Sequence, residues 1–210
     1  MAINDNAVYF AEYGTIFYAE LGTALPTGGL KGFHLTDTEV AAAGESGKKW
    51  KNLGHTSNSN KIEINLEGGD SDSFRSWLKS NLKTKKSSDG SMTITANALQ
   101  MDAETLQLIF NGTATANGVG ANVNSDPKEL AIVVITQETQ NSTEPVFGFH
   151  FPKTKVSPSG GPQFNDDFIE QGLTATVESP GTGKSDFEFL LIQGESKAAS
   201  TTGGGVPTGK

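Results

Sequence analysis

Apolar and polar residues alternate over short runs along most of this chain, and each such run predicts a strand with one buried face. The clearest is "KIEINLE" at 61–67, where Ile62, Ile64 and Leu66 share one face and charged residues take the other. "SMTITANALQ" at 91–100 repeats the pattern with Met92, Ile94, Ala96 and Ala98. "ELAIVVITQE" at 129–138 is apolar on both faces and reads as a central strand. "PVFGFHF" at 145–151, "LTATVES" at 173–179 and "DFEFLLIQG" at 186–194 complete the set. With the opening segment, roughly seven to nine strands are expected, enough for a sandwich or a partly closed barrel.

The period changes to a helical one at "DAETLQLIFNG", 102–112. Asp102 is placed to cap the N-terminus and Asn111-Gly112 to stop the helix, which is expected over about 102–111. A second stretch, "DSDSFRSWLKSNLKTKK" at 70–86, sets Phe74, Trp77, Leu78 and Leu82 on a helical stripe, with acids first and lysines last as a helix dipole prefers. It reads equally as an aromatic-rich edge strand. The opening "YFAEYGTIFYAELGT" says nearly the same phrase twice, eight residues apart. That period is far too short for a solenoid. Each copy is read as a piece of strand interrupted at Gly-Thr, the first being an arm or strand that pairs with the second or with a neighbouring chain.

Composition narrows the class. The chain has 210 residues, 25 of them Gly and 8 Pro, with polar residues between short apolar runs, as in a loop-rich β protein. The expected fold is mainly β, a β-sandwich or partly closed β-barrel with one flanking α-helix. A single domain is expected over 1–195, with a long Gly-rich loop at 36–60 anchored by Trp50 and a flexible tail at 196–210. There is no cysteine, which excludes disulfides, thiolate catalysis and thiolate-ligated zinc. No apolar run reaches the ~20 residues of a membrane span, and the start lacks the pattern of a secretion signal, so no membrane partner is expected. A net charge of −8 works against broad attraction to nucleic acid.

Motifs that could carry chemistry fail on context. "SPGTGKS" at 179–185 resembles a phosphate-binding loop, yet Glu178 stands where that loop needs its first glycine, and an alternating strand follows where a helix is required. A β-hairpin turn is expected instead. His34, His55 and His150 lack metal-ligand spacing. In "GDSDSF", Phe74 occupies a position where a calcium loop needs oxygen, so a helix cap or turn is expected. "NGT" at 111 and "NST" at 141 read as turns, and Lys79, Lys83, Lys85 and Lys86 as a solvated element or subunit contact. No catalytic residue, metal or cofactor is expected.

The second copy of the opening phrase extends to "FYAELGTALPT", 17–27. It resembles the opening of the major tail tube proteins of long-tailed bacteriophages, which run aromatic-x-Ala-x-x-Gly-Thr-x-Leu-Pro-Thr. "WKNLGHTS" at 50–57, "ALQMDAETLQLIFNG" at 98–112 and the stretch 150–180 are similar to later elements of that family, in the same order. The doubling of the phrase and the residues after 195 have no counterpart in the pattern. The resemblance implies a chain that assembles with itself into six-fold rings stacked as a hollow tube. It also implies a tape measure protein inside during assembly, tail terminator and baseplate hub proteins at the ends, and DNA passing through without specific binding. The location implied is the virion tail, after assembly in the bacterial host cytoplasm. Expected inter-subunit contacts are Tyr9, Phe10, Phe17, Tyr18, Trp50 and Leu53, and expected lumen-facing acids are Glu63 and Glu67. On that reading Trp50→Ala leaves a folded monomer that forms no tubes, whereas loss of folding places Trp50 in the core. A monomeric sugar- or receptor-binding β-sandwich of a surface or baseplate protein is the competing class. It predicts no concentration-dependent assembly.

Overall fold

A computed structural model describes residues 8–80, 82–139, 144–164 and 167–192. The strands are β1 Tyr13–Ala19, β2 Glu39–Ala41, β3 Lys49–Asn52, β4 Glu63–Glu67, β5 Ser71–Phe74, β6 Lys83–Lys86 and β7 Ser91–Ala98. After helix α1, Ala103–Phe110, come β8 Thr113–Thr115, β9 Gly118–Gly120, β10 Lys128–Gln137, β11 Phe147–Pro158, β12 Gln163–Phe164, β13 Ile169–Val177 and β14 Glu188–Leu191. The main sheet runs β2-β3-β1-β10-β11-β13-β7-β4, with β12 on β13 and β14 on β11. Every pairing in it is antiparallel.

β10 is the central strand its composition predicts. Leu130, Ile132 and Val134 enter one core cluster, while Ala131, Val133 and Ile135 enter a second on the opposite face. The first cluster joins Ile16 of β1 to Met92, Ile94 and Ala96 of β7 and Leu173 and Ala175 of β13, with Ile62 and Ile64 packed against it. Strands from the two ends of the sheet therefore share one interior: the sheet curls over itself into a sandwich-like, partly closed form. A register shift between Leu130 and Ile132 accompanies the curl, as bulges do where strands bend. Helix α1 covers this core with Leu108 and Ile109. Its ends are those expected: Asp102 accepts the Thr105 amide at 2.8 Å, and Asn111 closes the helix at φ 47°.

Several expectations change. Of the two readings open for 70–86, the strand one is found and the helix is not: β5 and β6 pair as a separate two-stranded hairpin. A helix there would have no apolar surface to pack its stripe against, and short helices owe most of their stability to such packing. The same pairing puts Ser71–Phe74 of "GDSDSF" in a strand, with no helix there for the motif to cap. Gly14-Thr15 does not interrupt the opening segment, since both copies of the phrase contribute to β1, which pairs with β10 from Tyr13 to Ala19. A Cβ at Gly14 would sit 3.1 Å from the Ile135 carbonyl oxygen, so glycine serves close strand approach there; only Gly22, at φ +76°, makes a turn. The stretch 36–60 contains β2 and β3, drawn into the sheet by pairing with each other and with β1. Finally, the turn after β13 is not a hairpin turn: β13 and β14 both pair with β11, on its second and first halves. The tail expected at 196–210 and the "NST" turn at 141 lie outside the described residues.

Candidate assembly interface

Of the six residues expected at subunit contacts, three lie inside the subunit. Phe17 and Trp50 are fully buried and Leu53 nearly so. The pairing of β3 with β1 points Phe17 and Trp50 into the second core cluster. Phe33 packs on Phe17 at 4.9 Å and on Trp50 at 5.9 Å, and His150 meets the Trp50 edge at 5.8 Å. Burial holds His150 below the ordinary histidine range. The Trp50 indole nitrogen donates to the Ala24 carbonyl at 2.8 Å, tying the segment after β1 to β3. Leu53 belongs to the first cluster. Within the single subunit these three side chains belong to the core, where they shape the fold.

Tyr18 is half-buried and already engaged, its hydroxyl donating to Glu104 of α1 at 2.9 Å beside the Lys51–Glu104 ion pair. Burial, then Glu104, pushes the Tyr18 hydroxyl above its ordinary range. Tyr9 and Phe10 do lie at the surface. Phe10 is 71% exposed, and Tyr9 stacks on Phe147 at 6.1 Å.

Larger apolar surfaces lie elsewhere, one of them on the hairpin whose Lys79, Lys83, Lys85 and Lys86 read as a solvated element or subunit contact. On the β5–β6 hairpin Trp77 and Leu78 are fully exposed, and Phe74 and Leu82 more than half. A second surface forms where β14 lies on β11. Phe147, Phe149, Phe187 and Phe189 stand on one face with ring centroids 5.1–6.0 Å apart from neighbour to neighbour. The signal was present in the alternation of Phe147, Phe149 and Phe151 and of Phe187 and Phe189, but the sequence does not say that only Phe151 is fully covered.

The outward face of β4, β7 and β13 is polar. Glu63, Asn65 and Glu67 pair with Thr95, Thr93 and Ser91, and beyond these lie Thr174 and Thr176. Glu63 and Glu67 are exposed at the free edge of the sheet. Further across, Lys155 meets Glu178 at 2.6 Å, and Lys153 bridges Glu178 and Glu129 at 3.2 and 3.5 Å. Glu178, held below the carboxylate range mainly by its hydrogen bond from Lys155, stays ionised, so these lysines are neutralised by acids and the face keeps no excess positive charge.

At the end of this face Glu170 is buried and accepts three hydrogen bonds, from Ser57 at 2.7 Å, Asn60 at 2.7 Å and Asn97 at 2.8 Å. Those bonds depress its pKa, and they pin the segment around Ser57 across β7 and β13. Sequence reading singled out "WKNLGHTS" but missed its anchor, because the carboxylate comes from more than 100 residues downstream.

Among the described residues no group of His, Asp and Glu could hold a metal ion. "SPGTGKS" forms a turn, with the Lys184 amide bonded to the Gly181 carbonyl, and leads into β14, so it offers no helix N-terminus for a phosphate.

A family model described as "Phage tail tube protein" matches residues 1–199. The chain is 34% identical over 142 residues to the "Major tail protein Gp23" of Mycobacterium phage D29, covering 66% of this chain and 69% of that protein. It is 32% identical over 140 residues to the "Major tail protein Gp23" of Mycobacterium phage L5, with the same coverage. The family match spans the described fold, and the chain belongs to the phage tail tube proteins, a structural family and not one of enzymes.

Proposed function

We propose that this chain polymerises with itself, as six-fold rings stacked into the tube of a phage tail through which DNA is ejected. Its partners on this reading are further copies of itself, a tape measure protein enclosed during assembly, and tail terminator and baseplate hub proteins at the ends. It acts in the virion tail after assembly in the host cytoplasm. The observation that carries the reading is the β5–β6 hairpin with Trp77 and Leu78 fully exposed. A monomer gains nothing from presenting tryptophan and leucine to water, whereas such residues are the usual anchors of protein interfaces. Negative-stain microscopy of the purified protein over a concentration series tests it: hollow tubes are expected, and a monomer at every concentration overturns it.

The polar face of β4, β7 and β13 is the proposed lining, with Glu63 and Glu67 among its acids. Hydroxyls and carboxylates without excess positive charge give DNA phosphates no cationic attraction, so the duplex slides. Tubes carrying Glu63→Lys with Glu67→Lys should retain double-stranded DNA in a filter assay at low salt and release it as salt rises. Retention no greater than wild type would put both residues outside the lumen.

A further inference from the structure

Two of the exposed apolar surfaces among the described residues differ in kind. The β5–β6 hairpin is basic on balance: from Ser71 to Lys86 it carries Arg75, Lys79, Lys83, Lys85 and Lys86 against one acid, Asp72, which stands opposite Lys85, while Lys86 meets Asp89 at 2.7 Å. Its Trp77 and Leu78 make no use of their own subunit, being fully exposed. The β11–β14 surface is a rigid aromatic ladder. Phe149 stacks on the buried Phe151 at 6.0 Å and 12°, and Phe189 packs against Phe149 at 5.1 Å while staying 58% exposed. Acids stand around it. Asp186 precedes Phe187 in the chain, and Glu138 receives the Phe10 amide at the end where Tyr9 stacks on Phe147, whereas Glu188 turns to the other face of β14 and meets His150 Nδ1 at 3.2 Å.

We propose that the hairpin of one copy seats on the aromatic ladder of the next, with Trp77 and Leu78 over Phe149 and Phe189 and the hairpin's cations toward Glu138 and Asp186. This rests on the reading that the chain assembles with itself, and adds which two surfaces meet. The complementarity is of both kinds that favour a specific contact, aromatic against aromatic and basic against acidic. Because the two surfaces are different, the contact is heterologous. Each copy offers one hairpin and one ladder, so the contact propagates into a ring or a stack and does not stop at a pair. The Tyr9–Phe147 stack makes the first copy of the doubled opening phrase one border of the ladder.

The absence of native cysteine makes the test direct. Leu78→Cys and Phe189→Cys proteins, both altered at exposed positions, are mixed and oxidised under conditions where the wild type forms tubes. A covalent dimer is expected from the mixture and not from either protein alone. In a second arm, Trp77→Ser with Leu78→Ser in one protein, and Phe189→Ser in another, each raise the concentration needed for assembly about thirtyfold, as loss of an interface anchor does. Mixed in equal amounts, they form pairs through the one remaining hairpin–ladder contact and grow no further. Wild-type tubes without the 78–189 cross-link, or Phe189→Ser protein assembling as the wild type does, overturn the pairing and leave the tube reading standing. The same missing cross-link results if residues 193–210 of the same chain cover the ladder. In that case the thiol of the Phe189→Cys protein is protected from a thiol reagent in the monomer, and the pairing is overturned in favour of that segment. A wild type that never assembles overturns both.

Discussion

Trp50→Ala lowers the melting temperature by about 12 °C, because truncating a fully buried tryptophan costs about 4 kcal/mol in a domain of this size. Three losses combine. The cavity opens beside Phe33 and His150, whose rings lie 5.9 and 5.8 Å from the indole. The Ala24 carbonyl loses its indole donor, held at 2.8 Å. β3 loses the side chain that anchors it under the segment following β1. Thermal denaturation followed by circular dichroism measures the shift. A variant with wild-type melting temperature that fails only in assembly would return Trp50 to a contact role. Trp77→Ala is the control: it should leave the melting temperature within about 1 °C, since a side chain fully exposed in the monomer contributes little to its stability.

Glu170→Gln is the second large effect, with an expected loss of about 3 kcal/mol at neutral pH. Its carboxylate accepts from Ser57, Asn60 and Asn97. An amide offers one oxygen and turns an NH2 group toward amide donors, so at least one of the three donors, of which Ser57 is buried, is left unmatched. The pH dependence follows from the direction of the shift. The Glu170 pKa is lower in the folded chain, so the unfolded chain binds the proton more readily. The stabilisation is complete above the ordinary glutamate pKa, about 4.3, and is lost as pH falls from there through the folded value. The gap between wild type and Glu170→Gln should therefore be widest at pH 7 and shrink below about pH 4.5. Asp102, Glu104 and Glu178 are depressed as well and destabilise both proteins in acid, so the difference, not the wild-type curve, isolates Glu170. Urea denaturation at a series of pH values measures it. A gap that stays constant with pH would mean the carboxylate charge is not what holds the segment.

Elements governed by neighbours in the chain were legible. The alternation of β4 and β7, the two-faced apolar run of β10, and α1 with both caps follow from side-chain period and local hydrogen bonding. Short strands with no clear alternation were not: β2 and β3 exist because β1 is there to pair with, and β8 and β9 because they pair with each other. The helix-like stripe of 70–86 left helix and strand undecided, because period describes which residues share a face and not whether anything covers it.

The same division holds for the sites. The sequence by itself determined that the chain is β-rich, acidic, without thiol chemistry, and patterned like a tail tube protein, since composition, period and motif order are properties of the chain alone. The tertiary structure alone decided that Trp50 is enclosed while Trp77 stands free, that Glu170 locks a segment far away in the chain, and that Phe189 faces water beside a buried Phe151. The reason is that burial belongs to what packs over a residue. For each of these side chains, the covering element, or the absence of one, is set by strand pairings between residues distant in sequence, which no local pattern records.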